Sequence, residues 1–152
     1  MVGRNILENK YATNHTILSP DSEELNLLSY SEVYNYINLN KPDIVIHAAG
    51  KVGGIQANID NPISFLTDNM DMGKNIILAS KQNNIKKLIN LGTSCMYPKN
   101  AINPLKEEYI LKGELEPTNE GYALSKIMVS KLCEYVNFEN NNFSFKTIIP
   151  CN

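Results

Sequence analysis

Lys41-Pro-Asp-Ile-Val-Ile-His-Ala-Ala-Gly50 is the stretch that decides the fold. Within it, Asp43–Ala49 runs apolar from Ile44 onward except for His47, and shows no polar–apolar alternation. That pattern predicts a strand buried on both faces, the kind found in parallel sheets covered by helices. Before it, Ser31–Asn40 reads as a helix started by Ser31. After it, Pro62–Asn83 reads as a long helix with Asn61 as its cap and Pro62 in the first position.

The same alternation continues in both directions. Val2–Ala12 carries a short helical face at Val2, Ile6 and Leu7. His15–Ser19 is a β-branched and apolar run, and Glu24–Leu28 is a candidate brief strand. Lys87–Gly92 and Phe145–Pro150 are strand-like, with a second long helix over Asn119–Asn140 between them. Strands separated by helices of this length imply right-handed crossovers and a parallel sheet. The expected fold is therefore α/β, a doubly wound parallel sheet of the Rossmann-like kind, forming one domain over residues 1–152. Ligands of such sheets lie beyond the carboxyl ends of the strands. That directs attention to Ser19–Ser22, Gly50–Gly54, Thr93–Lys99 and Cys151-Asn152.

Composition narrows the function classes. Of 152 residues, 43% are hydrophobic and 20% charged, which is ordinary for a globular domain. With a formal net charge of -2 and no basic block, nothing calls for a nucleic-acid partner. Apolar runs such as Asn75–Ala79 are too short to span a bilayer. Met1-Val2-Gly3-Arg4 has no apolar signal core, so a cytoplasmic location is expected. The three cysteines, Cys95, Cys133 and Cys151, have no metal-ligand spacing and fit reduced thiols, so no metal site is expected.

Three segments carry chemistry. In Tyr122-Ala-Leu-Ser-Lys126 a spacing of four puts phenol and ammonium on one helical face. A nearby lysine lowers a phenol's pKa, which suits it to proton exchange near neutral pH. Tyr-x-x-x-Lys alone is weak, since it also occurs on exposed helices without function. Leu91-Gly-Thr-Ser-Cys-Met-Tyr-Pro-Lys99 places a glycine and two hydroxyls at a strand's carboxyl end, just before that helix. A hydroxyl at Thr93 can hold a substrate carbonyl while Tyr122 exchanges a proton with it, which is hydride-transfer chemistry at a secondary alcohol. Finally, His47-Ala-Ala-Gly-Lys-Val-Gly-Gly54 has the small residues that let a cofactor approach backbone. His47 itself reads as a core or sheet histidine.

Thr-Ser-Cys-Met-Tyr-Pro-Lys at 93–99, Gly-Glu-Leu-Glu-Pro-Thr-Asn-Glu-Gly-Tyr-Ala-Leu-Ser-Lys at 113–126 and Ala-Gly-Lys-Val-Gly-Gly-Ile at 49–55 resemble the GDP-L-fucose synthases, as do Glu24–Leu28 and Lys131–Glu134. These belong to the extended short-chain dehydrogenases. The resemblance implies conversion of GDP-4-keto-6-deoxy-D-mannose to GDP-L-fucose, by epimerisation at two carbons and reduction of the ketone with NADPH. It puts Thr93 at the catalytic hydroxyl position and Cys95 at the acid/base of epimerisation. It makes Tyr122 the proton donor to the alkoxide and Lys126 the residue that tunes Tyr122 and binds the nicotinamide ribose. It also puts Gly3, Leu91, Gly92, Thr93, Ser94, Lys126, Pro150 and Asn152 along the cofactor. A GDP-sugar is the implied substrate, and a homodimer through the two long helices is implied for the full-length protein.

Against that pattern, Met1-Val2-Gly3 keeps only the last glycine of the phosphate loop. The first strand, the C-terminal substrate lobe and the family's downstream histidine are missing, so the chain reads as truncated at both ends. A chain of this length expressed alone is expected to fold poorly and be inactive. Ser19-Pro-Asp-Ser22 stands where the family has an arginine for the 2′-phosphate. Asp21 favours a free ribose hydroxyl, which leaves NAD as the alternative to NADP. The competing readings are another NAD-dependent nucleotide-sugar epimerase or dehydratase, and a non-catalytic remnant that only binds cofactor.

Overall fold

A computed structural model describes residues 2–150. Three parallel strands form the sheet: β1 (Ile44–His47), β2 (Lys87–Leu91) and β3 (Ser144–Ile148), in the order β1-β2-β3. Around them lie α1 (Val2–Leu7), α2 (Tyr30–Asn40), α3 (Ile55–Asp60), α4 (Pro62–Gln82) and α5 (Glu120–Glu139). This is the open parallel α/β sheet that the strand–helix alternation predicts. Val45, Leu88 and Phe145 pair across the three strands in one row, and His47, Asn90 and Thr147 in another. These two rows share a face, because side chains alternate along each strand. Against that face pack Ile76, Ile77 and Ala79 of α4 and Val129, Cys133 and Val136 of α5. Each large apolar side chain so buried contributes about 1.5–3 kcal/mol.

Several sequence expectations change. β1 is not buried on both faces: Ile44 and Ile46 are 43% and 41% exposed. β1 pairs only with β2, so it is an edge strand among the described residues, and these two side chains stay partly open to solvent. His15–Ser19 runs without strand pairing, and Glu24–Leu28 is turn. An extended segment becomes a strand only when a neighbour completes its ladder, and these two have none among the described residues. Residues 55–60 form a short helix that the glycines before it concealed.

Caps also differ from expectation. Ser29, not Ser31, caps α2 by accepting from the Glu32 N–H at 3.4 Å. Asn61 makes no side-chain cap for α4. Its amide donates to the Ala57 carbonyl, so α3 holds it. α4 and α5 approach closely at Gly73 of α4, where a Cβ would lie 2.4 Å from Val129 Cγ2 of α5. Gly121 plays the same part at the start of α5, where a Cβ would lie 3.0 Å from the Pro62 carbonyl.

Candidate active site

The segment after β2 is pinned from below. Gly92 extends the ladder by donating to the Ile148 carbonyl at 2.8 Å. A Cβ on it would lie 2.9 Å from Met96 Sδ and 3.1 Å from Thr147 Cγ2, so any side chain there would push on Met96 and β3. Thr93 is extended (φ -154°, ψ 151°) and caps a single 3-10 turn, Ser94–Met96, by accepting from the Cys95 N–H. Met96 is wholly buried with Leu115, Ala123 and Ile127 in a second small core. The buried methionine thus anchors a turn that leaves Cys95 half-buried and Ser94 exposed.

From the other side come the first two turns of α5. Lys126 is buried and its ammonium donates to the Leu91 carbonyl at 3.2 Å. The same nitrogen stands 5.8 Å from the centre of the Tyr122 ring. Burial lowers the Lys126 pKa. The Tyr122 pKa is raised, first by burial and then by the Cys95 sulfur, whereas a neighbouring ammonium was expected to lower it. The physical reason is that the ammonium is committed to a carbonyl, while the phenol has lost water. Tyr122 is thereby held as a neutral phenol, a proton donor.

The loop after β1 completes the arrangement. Asn69 of α4 is buried and accepts from the Lys51 N–H at 2.8 Å, while its amide donates to the Lys51 carbonyl at 3.0 Å and to the Phe65 carbonyl at 2.8 Å. This clamp sets Gly50 beside Lys126: a Cβ on Gly50 would lie 3.6 Å from the ammonium and 3.1 Å from Asn69 Oδ1. Any side chain at 50 would fill the space over Lys126. A bare backbone next to a buried ammonium suits a ribose, so the residues present fit a nicotinamide nucleotide.

His47 is the core histidine it was expected to be. It is 3% exposed, and burial followed by the Lys126 charge pushes its pKa down to about 3. The native state therefore binds no proton here until far below pH 6.5, while the unfolded chain does. Stability carried by the neutral imidazole is full above pH 6.5 and is lost as pH falls toward 3, at about 1.4 kcal/mol per unit. Urea titrations at pH 7 and pH 5 should show about 2 kcal/mol of acid destabilisation that His47→Gln lacks.

The structure thus gathers Leu91, Gly92, Thr93, Cys95, Tyr122 and Lys126, with Ser94 at the rim. Gly3 lies inside α1, where a Cβ would reach Ala48 Cβ at 3.9 Å, against the segment that leads from β1 to Gly50. Pro150 follows β3, while Asn152 and Cys151 lie outside the described residues. Asp21 is occupied locally, accepting from the Glu23 and Glu24 N–H groups. Sequence reasoning missed Asn69 and Asn119. Asn119 donates from Nδ2 to Cys95 Sγ at 3.3 Å and lines, with Tyr122, Phe65 and Asn58, a groove of about 230 Å³. Its position three residues before Tyr122 was the available signal. A larger depression of about 410 Å³, between Pro98 and Glu114, includes none of these residues. Among the described residues there is no metal-ligating cluster, and no helix is long and apolar enough to cross a membrane.

Known proteins resemble this chain in sequence and in fold. The chain is 55% identical over its whole length to the GDP-L-colitose synthase of Yersinia pseudotuberculosis, covering 49% of that protein. It is 47% identical over its whole length to a GDP-L-fucose synthase of Azorhizobium caulinodans, covering 48% of it. The solved GDP-D-glycero-L-gluco-heptose synthase of Campylobacter jejuni, determined in the presence of NADPH, superposes with a TM-score of 0.90 at 32% identity, over 97% of this chain and 43% of that one. The chain spans about half the length of the curated relatives it matches. The model of the NAD dependent epimerase/dehydratase family matches residues 1–152. The chain belongs to the NAD dependent epimerase/dehydratase family.

Proposed function

We propose that this chain carries the reacting groups of an NADP-dependent nucleotide-sugar epimerase/reductase that converts GDP-4-keto-6-deoxy-D-mannose to GDP-L-fucose. The observation that carries the reading is the junction of β2 and α5, where Lys126 bonds to Leu91 and puts Tyr122 beside Cys95. A bound nicotinamide supplies the hydride. The chain's own residues hold the ketone oxygen and take the proton from carbon on one face. The protons on carbons beside a ketone are acidic because the enolate spreads its charge onto oxygen, and hydroxyl donors hold that oxygen. Thr93 and Tyr122 are those donors, and the raised Tyr122 pKa keeps its proton in place until the alkoxide forms. Cys95 exchanges the proton at carbon. Leu91, Gly92, Ser94 and Pro150 offer backbone to the cofactor, with Lys126 at its ribose.

Support for NADP comes from the C. jejuni relative, determined with NADPH. Against it stands Asp21 where an arginine would meet the 2′-phosphate; Arg4 is the chain's sole arginine. NAD is therefore the alternative cofactor. A homodimer through α4 and α5 belongs to the same proposal, supported by exposed Ile63, Leu124, Tyr135 and Phe138 on those helices.

The relative at 55% identity favours a second reading, production of GDP-L-colitose. Offering NADPH or NADH with GDP-4-keto-6-deoxy-D-mannose, its 3-deoxy counterpart, or UDP-glucose separates the readings by product. GDP-L-fucose formation supports the first and turnover of only the 3-deoxy ketone supports the second. Interconversion of UDP-sugars would replace both with a 4-epimerase.

A further inference from the structure

Asn119 occupies the N-cap position of α5 but does not cap it. An asparagine there ordinarily accepts from a backbone N–H one turn on, because the first N–H groups of a helix have no internal partner. Here the backbone takes φ -139° and ψ 21°, the side chain makes no cap bond, and Nδ2 donates to Cys95 Sγ at 3.3 Å. The other end of the amide, Oδ1, is buried and has no hydrogen-bond partner. A helix start thus forgoes its usual cap, and one polar atom goes unpaired, for a single contact to sulfur. Such an unpaired buried group calls for a reason.

We propose that Asn119 is the positioning residue of Cys95, an amide that serves the sulfur in both of its protonation states. This rests on Cys95 exchanging protons in the function proposed above. In that step the sulfur takes a proton from the carbon beside the ketone: the C–H bond breaks, the S–H bond forms, and the electron pair moves to the ketone oxygen. Inversion is completed when a second acid gives a proton to the opposite face of the carbon as the electron pair returns from oxygen, and the sulfur then releases its own proton to solvent. A group holding such a sulfur must donate when the sulfur is charged and accept when it carries a proton. A primary amide does both by turning about its last bond, Nδ2 toward a thiolate and Oδ1 toward an S–H. Nothing opposes the turn, since Nδ2 bonds only to Cys95 and Oδ1 to nothing. Asn119 also lies one helical turn before Tyr122, so both groups extend from the same end of α5.

The test needs no turnover. Iodoacetamide reacts with the thiolate, and peptide mass spectrometry follows Cys95 separately from Cys133 and Cys151. Asn119→Asp keeps the shape and remains a good helix cap but has no N–H; Asn119→Leu keeps the approximate volume and has neither donor nor acceptor. Alkylation of Cys95 at pH 7 should slow about tenfold in both variants, the size expected for one hydrogen bond to a charged group, with thermal unfolding of N119D close to that of the parent. Rates within twofold of the parent in both variants would overturn the proposal. Deuterium uptake by the keto-sugar in D2O, run on a protein of the relatives' length that contains this chain, reports separately on the proposed function. Slowed alkylation without uptake leaves Asn119 as the positioning residue and removes the substrate reading.

Discussion

In a protein of the relatives' length that contains this chain, Tyr122→Phe is expected to slow ketone reduction by about 10²–10⁴-fold, the range for removing a positioned general acid. The substitution takes away one oxygen and leaves the ring that Lys126 overlies. The Lys126 bond to Leu91 and the contact at Gly50 do not involve that oxygen, so cofactor affinity should change little. Rapid-mixing measurements of NADPH oxidation, with cofactor affinity from fluorescence, distinguish the two quantities. A variant that binds cofactor normally but reduces as fast as the parent would remove Tyr122 from the mechanism. Because burial and Cys95 raise the phenol's pKa, the reduction limb should hold across neutral pH and fall only in the alkaline range where the phenol ionises.

The second large effect lies away from the chemistry. Gly73→Val should destabilise the fold by about 3–5 kcal/mol, at the severe end for single substitutions. A Cβ alone would reach Val129 Cγ2 at 2.4 Å and Cγ1 at 2.8 Å, far inside contact distance, and valine adds two further methyl groups. Val129 is itself buried, in the core shared by α4, α5 and β3, so it has nowhere to turn. Relief requires α4 and α5 to move apart, which costs packing along both helices. For a chain of this size the loss corresponds to a fall of about 10 °C or more in Tm. Calorimetry of Gly73→Val with and without Val129→Ala gives the coupling. Truncating Val129 should recover part of the loss, and independent, additive effects would place the strain elsewhere.

Much of the site was legible before any coordinates. Thr93, Cys95, Tyr122 and Lys126 are close in pairs along the chain, and their order relative to a strand and a helix predicts that they meet at the strand's carboxyl end. They do so because Leu91 and Lys126 bond across that junction. The two asparagines that hold the site were not legible. Asn69 and Asn119 read as ordinary helix residues, and their roles depend on where Lys51 and Cys95 arrive in space.

What the sequence determined by itself is the set of local patterns: a parallel α/β chain, two long helices and a hydroxyl–phenol–lysine constellation. Those follow from the spacing of apolar and reactive residues within single elements. Tertiary structure alone decided three things. It made β1 an edge strand among the described residues, because pairing depends on neighbours and not on the apolar run. It raised the Tyr122 pKa, because lost water outweighs an ammonium already bonded to Leu91. And it turned the Asn119 amide away from its helix and toward sulfur, because the turn capped by Thr93 brings Cys95 within 3.3 Å of it.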